Sequence, residues 1–332
     1  MTSALVTGAT GALGRAVARR LAEAGWAVTG VGRNVEAGSR LEASGIAFRR
    51  IDIGRQPEEI ADACAQQDYV IHCAALSSPW GRYRDFEEAN VLGTAHVAAG
   101  CLRHGVRRLV HVSTPSVYFD YSDRLLVPET APLPRRPVNA YAATKLLAEG
   151  VVRDAGRRGL DAIILRPRAI FGPEDGALFP RLMRVNERRG IPLVRSGAAM
   201  LDLTYADNVV DALVQACLAP ADAAGRTFNI SNGEPVRLID LLRRLFGLLE
   251  LPLRTREVPL KAALAAGSLM ERAYRIAPFL GPEPPFTRYT VALLAYSQTL
   301  DIGAARRTLG YAPRVSIDEG LRRFAAWWKE SR

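Results

Sequence analysis

Thr7-Gly8-Ala9-Thr10-Gly11-Ala12-Leu13-Gly14 is the stretch on which the reading of this chain turns. The apolar run at 4–7 before it reads as a short buried strand, and Leu13, Val17 and Leu21 behind it recur every fourth residue, as on one face of an amphipathic helix. A glycine spacing alone says little, but placed between a strand and a helix it has a mechanical meaning. Gly8 permits the tight turn, Gly11 lets backbone approach a pyrophosphate, and Gly14 lets helix and strand pack closely. The amides of Gly8, Thr10, Gly11, Ala12, Leu13 and Gly14, with the positive helix end behind them, form a predicted anion cradle.

Outward from the turn, short strands at 27–31, 47–51, 69–73, 108–112 and 161–165 alternate with helices near 35–44, 57–66, 85–104 and 139–158. This rhythm predicts an α/β fold, a Rossmann-like doubly wound parallel sheet with helices on both faces. The second half is mixed. Helices are expected at 177–190, 206–219, 237–247, 259–276, 301–309 and 316–330, and strands at 191–194, 201–204, 227–230 and 253–258. Proline-rich stretches at 128–137 and 278–285 read as loops. The domain plan is a dinucleotide-binding unit over 1–166, rejoined by 201–230, and a smaller, chain-discontinuous substrate unit from 167–200 and 231–332.

Net charge is +10, from 44 Lys and Arg against 34 Asp and Glu. The arginines are spread along helices, without a basic tail or aromatic-interleaved stripe, so a solvated surface is expected and no nucleic-acid partner. Cys64, Cys73, Cys101 and Cys217 show no metal-ligand spacing, and free thiols, with no metal, fit a reducing compartment. The first strand begins at once, without a secretory leader, and no stretch is long and apolar enough to span a bilayer, so a cytoplasmic protein is expected. Residues 260–280 are apolar but broken by Lys261, Glu271, Arg272 and Arg275. They suit a helix packed in the second unit or one in weak contact with a membrane surface.

Where an acid would bind the ribose hydroxyls of NAD, this chain has Gly32-Arg33, and a guanidinium there favours the 2′-phosphate of NADP over NAD. Asp52 and Ile53 follow the third strand, where a carboxylate can accept from the adenine amino group. Ala74 and Ala75 follow the fourth and leave room for the dinucleotide. Tyr141 and Lys145, four apart on an expected helix, share one face. Reduction of a ketone needs a proton donor at the developing alkoxide, and a neighbouring ammonium is expected to lower the tyrosine toward working pH. A hydroxyl from Ser113-Thr114-Pro115-Ser116 could stabilise the same oxygen.

These motifs together resemble the extended short-chain dehydrogenase/reductase family, also called the NAD-dependent epimerase/dehydratase superfamily. The resemblance runs on through Asn90-Val91-Leu92-Gly93-Thr94, Val117-Tyr118, Arg166-Pro167-Arg168-Ala169-Ile170-Phe171-Gly172-Pro173, Asp202-Leu203-Thr204-Tyr205-Ala206-Asp207-Asn208 and Phe228-Asn229-Ile230. The resemblance implies Thr114 as the catalytic hydroxyl, with Ser113 as the alternative, beside Tyr141 and Lys145. It also implies Asn90 on the cofactor side, Ala74, Ala75 and Pro167 along the nicotinamide half, and a homodimer. Within the family the chain is most similar to the 3β-hydroxysteroid dehydrogenase-like branch.

The expected function is NAD(P)-dependent interconversion of a secondary alcohol and a ketone on a small hydrophobic substrate, sterol-like or a β-hydroxy or β-keto acid. Leu76, Trp80, Tyr83, Phe119 and Phe171 are candidates to meet it. The rival is a nucleotide-sugar epimerase or dehydratase with tightly bound NAD, using Arg181, Arg184 and Arg195 for a diphosphate. A cofactor-sensing binding protein would not need the tyrosine.

Overall fold

The computed structural model describes residues 1–174, 178–277, 279, 281 and 283–331. In chain order the first half runs β1 (Ser3–Thr7), α1 (Ala12–Glu23), β2 (Ala27–Gly32), α2 (Val35–Glu42), β3 (Ala47–Arg50), α3 (Pro57–Ala63), β4 (Tyr69–His72), α4 (Tyr83–Phe86), α5 (Gly93–Arg103), β5 (Arg108–Val112), β6 (Arg124–Val127), α6 (Ala140–Arg157) and β7 (Ala162–Pro167). The second half runs β8 (Ile170–Phe171), α7 (Leu178–Arg189), β9 (Ile191–Leu193), β10 (Met200–Leu201), β11 (Thr204–Tyr205), α8 (Ala206–Leu218), β12 (Thr227–Ile230), β13 (Val236–Arg237), α9 (Leu238–Leu249), β14 (Thr255–Glu257), α10 (Leu260–Ile276), α11 (Arg288–Ala295), β15 (Gln298–Leu300), α12 (Gly303–Leu309) and α13 (Ile317–Glu330).

Seven strands form one parallel sheet in the order β12-β7-β5-β4-β1-β2-β3. The order reverses between β1 and β4, and there a crevice opens at the carboxyl ends of the strands. Both faces are covered, as expected of a parallel sheet. On one face Val17, Leu21 and Leu213 pack against Val6 and Ile71, and on the other Ile60, Val97 and Val152 pack against Leu5 and Val70. A separate core gathers Phe171, Phe179, Leu242 and Phe324 from the second half of the chain.

Three features differ from the sequence expectation. The helix foreseen at 85–104 is broken by a π-helical stretch, Glu87–Leu92, that carries Asn90. Of the segment 201–230, only β12 joins the main sheet. Met200–Leu201 lies instead in a four-stranded sheet, β13-β10-β15-β6, and Thr204–Tyr205 pairs with β8. α11 is not among the expected helices: Thr290 stands where a capping box ordinarily carries Glu or Gln, yet Thr287 and Thr290 cap each other reciprocally. α10, foreseen at 259–276, packs through Gly267, where an added Cβ would come within 2.8 Å of the Arg288 backbone, while Leu269 and Ile276 stay exposed. Among the described residues no helix is long and apolar enough to cross a membrane, no cluster of side chains suits a metal ion, and all four cysteines are free.

Candidate active site

The glycine turn sits in the crevice. Gly8 has φ +70°, and a Cβ on it would come within 2.8 Å of the Ala74 backbone. A Cβ on Gly14 would stand 2.3 Å from the Gly8 carbonyl oxygen, whereas one on Gly11 would approach that oxygen only to 3.3 Å. Gly14 is therefore demanded by packing, whereas a Cβ on Gly11 would meet no other atom. Gly11 caps α1 with no side-chain hydrogen bond, and the first turn holds no acid. The amides of Ala12, Leu13 and Gly14 thus face the crevice without a side-chain partner, a cradle that fits a pyrophosphate. Thr10 turns its side chain onto Gly32, where a Cβ would lie 2.6 Å from Thr10 Oγ1.

A directed set of hydrogen bonds ties this turn to the loop carrying Ala74 and Ala75. Thr94 spends its hydroxyl proton on the Asn90 carbonyl, 2.6 Å away, so it must accept from His72 Nε2 at 2.9 Å. His72 Nδ1 then accepts from Thr7 Oγ1 at 2.7 Å, and Thr7 Oγ1 accepts from the Ala74 amide at 3.3 Å. Burial, with Lys145 nearby, pushes His72 down to about 3, which keeps the ring neutral as these bonds require. Asn90 accepts from the Leu76 amide at 2.7 Å and donates to the Leu76 carbonyl and to Thr144. Both of its amide protons are spent on protein groups, so it braces the loop against α6.

At the adenosine end, Arg33, Arg50, Asp52 and Gln56 line a cavity of about 350 Å³. Arg33 is exposed and lies 3.7 Å from Asp52. Arg50 was not foreseen; it reaches this corner because the register pairs it with Gly32 across the sheet, which local sequence does not reveal. Asp52 also accepts from the Gly54 amide. The Ile53 side chain is core, packed against Gly93.

Tyr141 and Lys145 share one face of α6, whose cap Asn139 accepts from the Ala142 amide at 2.8 Å. The Tyr141 hydroxyl has Thr114 and Ser77 as its polar neighbours, and both work to lower it. Burial nevertheless raises the phenol above its ordinary value. The expected lowering by Lys145 is corrected here, because the ammonium is engaged elsewhere. Its Nζ donates to the Val112 carbonyl at 2.7 Å and lies 3.2 Å from His111 Nε2. Burial pushes Lys145 itself down to about 8, against the pull of Glu149.

Ser113 is spent on a different network: it donates to Glu149 at 2.6 Å. Glu149 is buried and also accepts from Arg166 Nε at 2.7 Å and from Arg153 at 2.8 Å. Arg166 in turn reaches the Tyr118 hydroxyl, which donates to Asn229 at 2.9 Å. Burial works against ionisation of Glu149, but Arg166 and Ser113 hold the carboxyl below its ordinary range. Thr114 therefore faces Tyr141, and Ser113 belongs to the frame behind it.

Thr114 Oγ1 donates to Ser116 Oγ at 3.0 Å, and Ser116 Oγ meets the Tyr289 hydroxyl at 2.7 Å. Ser116 belongs to the hydroxyl stretch expected from sequence, whereas Ser77 and Tyr289 do not, and Tyr289 lies on α11, a helix the sequence reading lacks. Of the apolar candidates, Phe119 is buried among Tyr121, Tyr289 and Tyr296, and Phe171 packs on Phe179 and Tyr205. Both are core. Trp80 carries the Arg275 guanidinium over its ring, and Tyr83 is exposed. Pro167 is buried at the end of β7, next to the crevice.

Residues 4–231, from the glycine turn past β12, match the family described as "NAD dependent epimerase/dehydratase family". The chain belongs to this family. Within it the chain is 37% identical to a 2-alkyl-3-oxoalkanoate reductase of Stenotrophomonas maltophilia, over 97% of this chain and 98% of that protein. It is 33% identical to the decarboxylating sterol-4-alpha-carboxylate 3-dehydrogenase of Saccharomyces cerevisiae, over 86% of this chain and 84% of the relative. Both lie on the extended short-chain dehydrogenase/reductase branch. In fold, this family member is similar to a UDP-glucuronic acid 4-epimerase from Bacillus cereus solved with NAD: TM-score 0.78, 21% identity, 99% of this chain and 97% of that one.

Proposed function

We propose that this family member is an NADP-preferring oxidoreductase that interconverts a β-hydroxy acid and the corresponding β-keto acid carrying an apolar chain. It is an NAD(P)-dependent enzyme of the alcohol–ketone class. The observation that carries the reading is the placement of Tyr141 beside Thr114 in a crevice whose other end is the glycine cradle. The two relatives support the substrate class. A 3-oxoalkanoate and a sterol-4-carboxylate with its 3-hydroxyl both place a carboxylate β to the reacting carbon. Arg33, with Arg50 beside it, supports NADP, since two guanidiniums suit a 2′-phosphate and no acid other than Asp52 lines that corner.

Each residue has a definable task. The nicotinamide, when bound, supplies or accepts the hydride. Burial keeps the Tyr141 phenol protonated, so it can donate to the carbonyl oxygen during reduction and take the proton back during oxidation. Thr114, whose proton goes to Ser116 in the free site, turns it to the same oxygen when substrate is bound and stabilises the developing charge. Lys145, already low for a lysine, would hold the ribose of a bound nicotinamide nucleotide and can return the proton to Tyr141 through solvent.

Against the sugar-nucleotide reading, two of the three arginines it needs are already held by carboxylates: Arg181 by Glu283 at 3.0 Å and Arg195 by Asp123 at 2.7 Å. The deciding experiment follows NADPH and NADH oxidation with a 2-alkyl-3-oxo acid. Wild type should turn over with NADPH favoured. Tyr141→Phe should lose at least roughly 10²- to 10⁴-fold in kcat while the coenzyme dissociation constant stays within about twofold. NAD retained through purification, with no net redox turnover, would sink the proposal.

A further inference from the structure

We propose that Arg168 is the carboxylate anchor of this site, the group that selects an acid over a neutral ketone or alcohol. The proposal rests on the oxidoreductase reading above and names the residue that would confer its substrate class.

Among the described residues three arginines are buried: Arg108, Arg166 and Arg168. Arg108 is held by both oxygens of Asp161, at 2.9 and 2.7 Å, and Arg166 by both oxygens of Glu149. Arg168 has no such partner among the described residues. Its Nε is buried with no hydrogen-bond partner, and no carboxylate lies in ion-pair range of its guanidinium. A buried, unpaired cation is costly to keep, and burial accordingly pushes this guanidinium below its ordinary value. Tyr289 and Asp202 offset this in part, and Asp202 is a poor counter-ion. Burial raises its carboxyl, one oxygen accepts from the Leu300 amide at 2.7 Å, and the other has no partner.

The placement suits a ligand. Arg168 follows Pro167 at the carboxyl end of β7, the edge of a parallel sheet where ligands bind. Its backbone is pinned on both sides: the amide donates to the Ile230 carbonyl at 2.9 Å and the carbonyl accepts from Thr204 Oγ1 at 2.6 Å. The next residue, Ala169, is held at φ +41°, in the left-handed region that a side chain disfavours. This strained step turns the chain immediately after the arginine. The guanidinium is also joined to the proton-transfer residues. Tyr289, next to it electrostatically, contacts Ser116 at 2.7 Å, Ser116 contacts Thr114 at 3.0 Å, and Thr114 is a polar neighbour of Tyr141. The row of hydroxyls that starts at the proton donor therefore ends beside an unpaired cation. A substrate with its carboxylate β to the carbinol carbon would set that carbon's oxygen on Tyr141 and Thr114 and place an anion toward Arg168. A guanidinium accepts a carboxylate through two parallel N–H donors, which fixes orientation as well as charge.

The test compares a 3-hydroxyalkanoate with its methyl ester, both oxidised by the full chain with NADP. Wild type should favour the acid. Arg168→Gln should lower kcat/KM for the acid by about 100-fold and leave the ester within about threefold, and Arg168→Lys should recover part of the loss. Equal losses on acid and ester, or a wild type indifferent to the carboxylate, would overturn the anchor. A second measurement needs no turnover: calorimetric binding of decanoate to the enzyme–NADP complex. Here Arg168→Gln should weaken decanoate about 100-fold with NADP affinity unchanged; unchanged decanoate binding overturns the anchor. If decanoate binds through Arg168 while neither the acid nor the ester is oxidised, the oxidoreductase reading fails and the anchor stands. The melting temperature separates a structural role. Arg168→Gln should melt at or above wild type, since it removes an uncompensated buried charge, and a large fall with equal loss on both substrates would make Arg168 a structural cation.

Discussion

The turn after β1 and the wall beyond β7 lie along the same carboxyl edge of one parallel sheet, yet they are built in opposite ways. The turn is a backbone site. Its parts are neighbours in sequence, its donors are amides, and side chains matter mainly by being absent, as at Gly8 and Gly14. The wall is a side-chain site. Thr114 follows β5, Tyr141 and Lys145 come from α6, Arg168 follows β7 and Tyr289 comes from α11. These groups are held by a buried polar frame of Ser113, Glu149, Arg166, Tyr118 and Asn229. The difference teaches that a cofactor's phosphates can be met by local chain geometry, whereas a substrate is met by residues that only the packed domain brings together.

The sharpest way to break this comparison is at the frame. Arg166→Met leaves Glu149 buried with only Arg153 and Ser113, and should cost about 3–5 kcal/mol of unfolding free energy in urea titrations. A loss below about 1 kcal/mol would mean that the frame is not what holds the wall. The turn offers a smaller effect with an internal control. Gly14→Ala places a methyl 2.3 Å from a backbone oxygen and should destabilise by about 1–3 kcal/mol, while Gly11→Ala should barely move the melting temperature yet weaken the coenzyme. Equal destabilisation by the two changes would erase the distinction between a glycine kept for packing and one kept for a ligand.

The smallest effect is a pH dependence at Lys145. Its folded value is about 8, below the ordinary 10.5. Under pH 8 both folded and unfolded chains carry the charge, and the folded one bears the desolvation cost. Between about 8 and 10.5 the unfolded chain binds a proton that the folded chain does not, so this group's contribution to stability rises with pH. Lys145→Met lacks that gain. Its stability relative to wild type should therefore be greatest near pH 7 and decline by on the order of 1 kcal/mol toward pH 10, read from paired melts. A difference that stays flat would show that Lys145 is not desolvated.

Legibility followed the same division. The strand–turn–helix opening and the Tyr141–Lys145 spacing could be read because period and spacing act over a few residues. So could the alternation behind the parallel sheet. The π-helical stretch at Asn90 could not, because its widened turn leaves the apolar pattern almost unchanged. Arg50 entered the adenosine corner through the register of β2 with β3. Thr114 was preferred to its neighbour Ser113 by family resemblance alone, and the physical separation of the two comes from Glu149, reached across space from α6.

By itself the sequence determined that a strand ends in an anion-binding turn, that a tyrosine and a lysine share a helical face, and that the chain alternates toward a parallel sheet. These follow from local backbone geometry and side-chain periodicity. Tertiary structure alone decided that Lys145 turns to Val112 and His111, that Arg108 and Arg166 find carboxylates, and that Arg168 does not. The reason is electrostatic. Whether a buried charge is paired depends on which groups meet it inside a low-dielectric interior, and its partners lie 17 to 53 positions away along the chain.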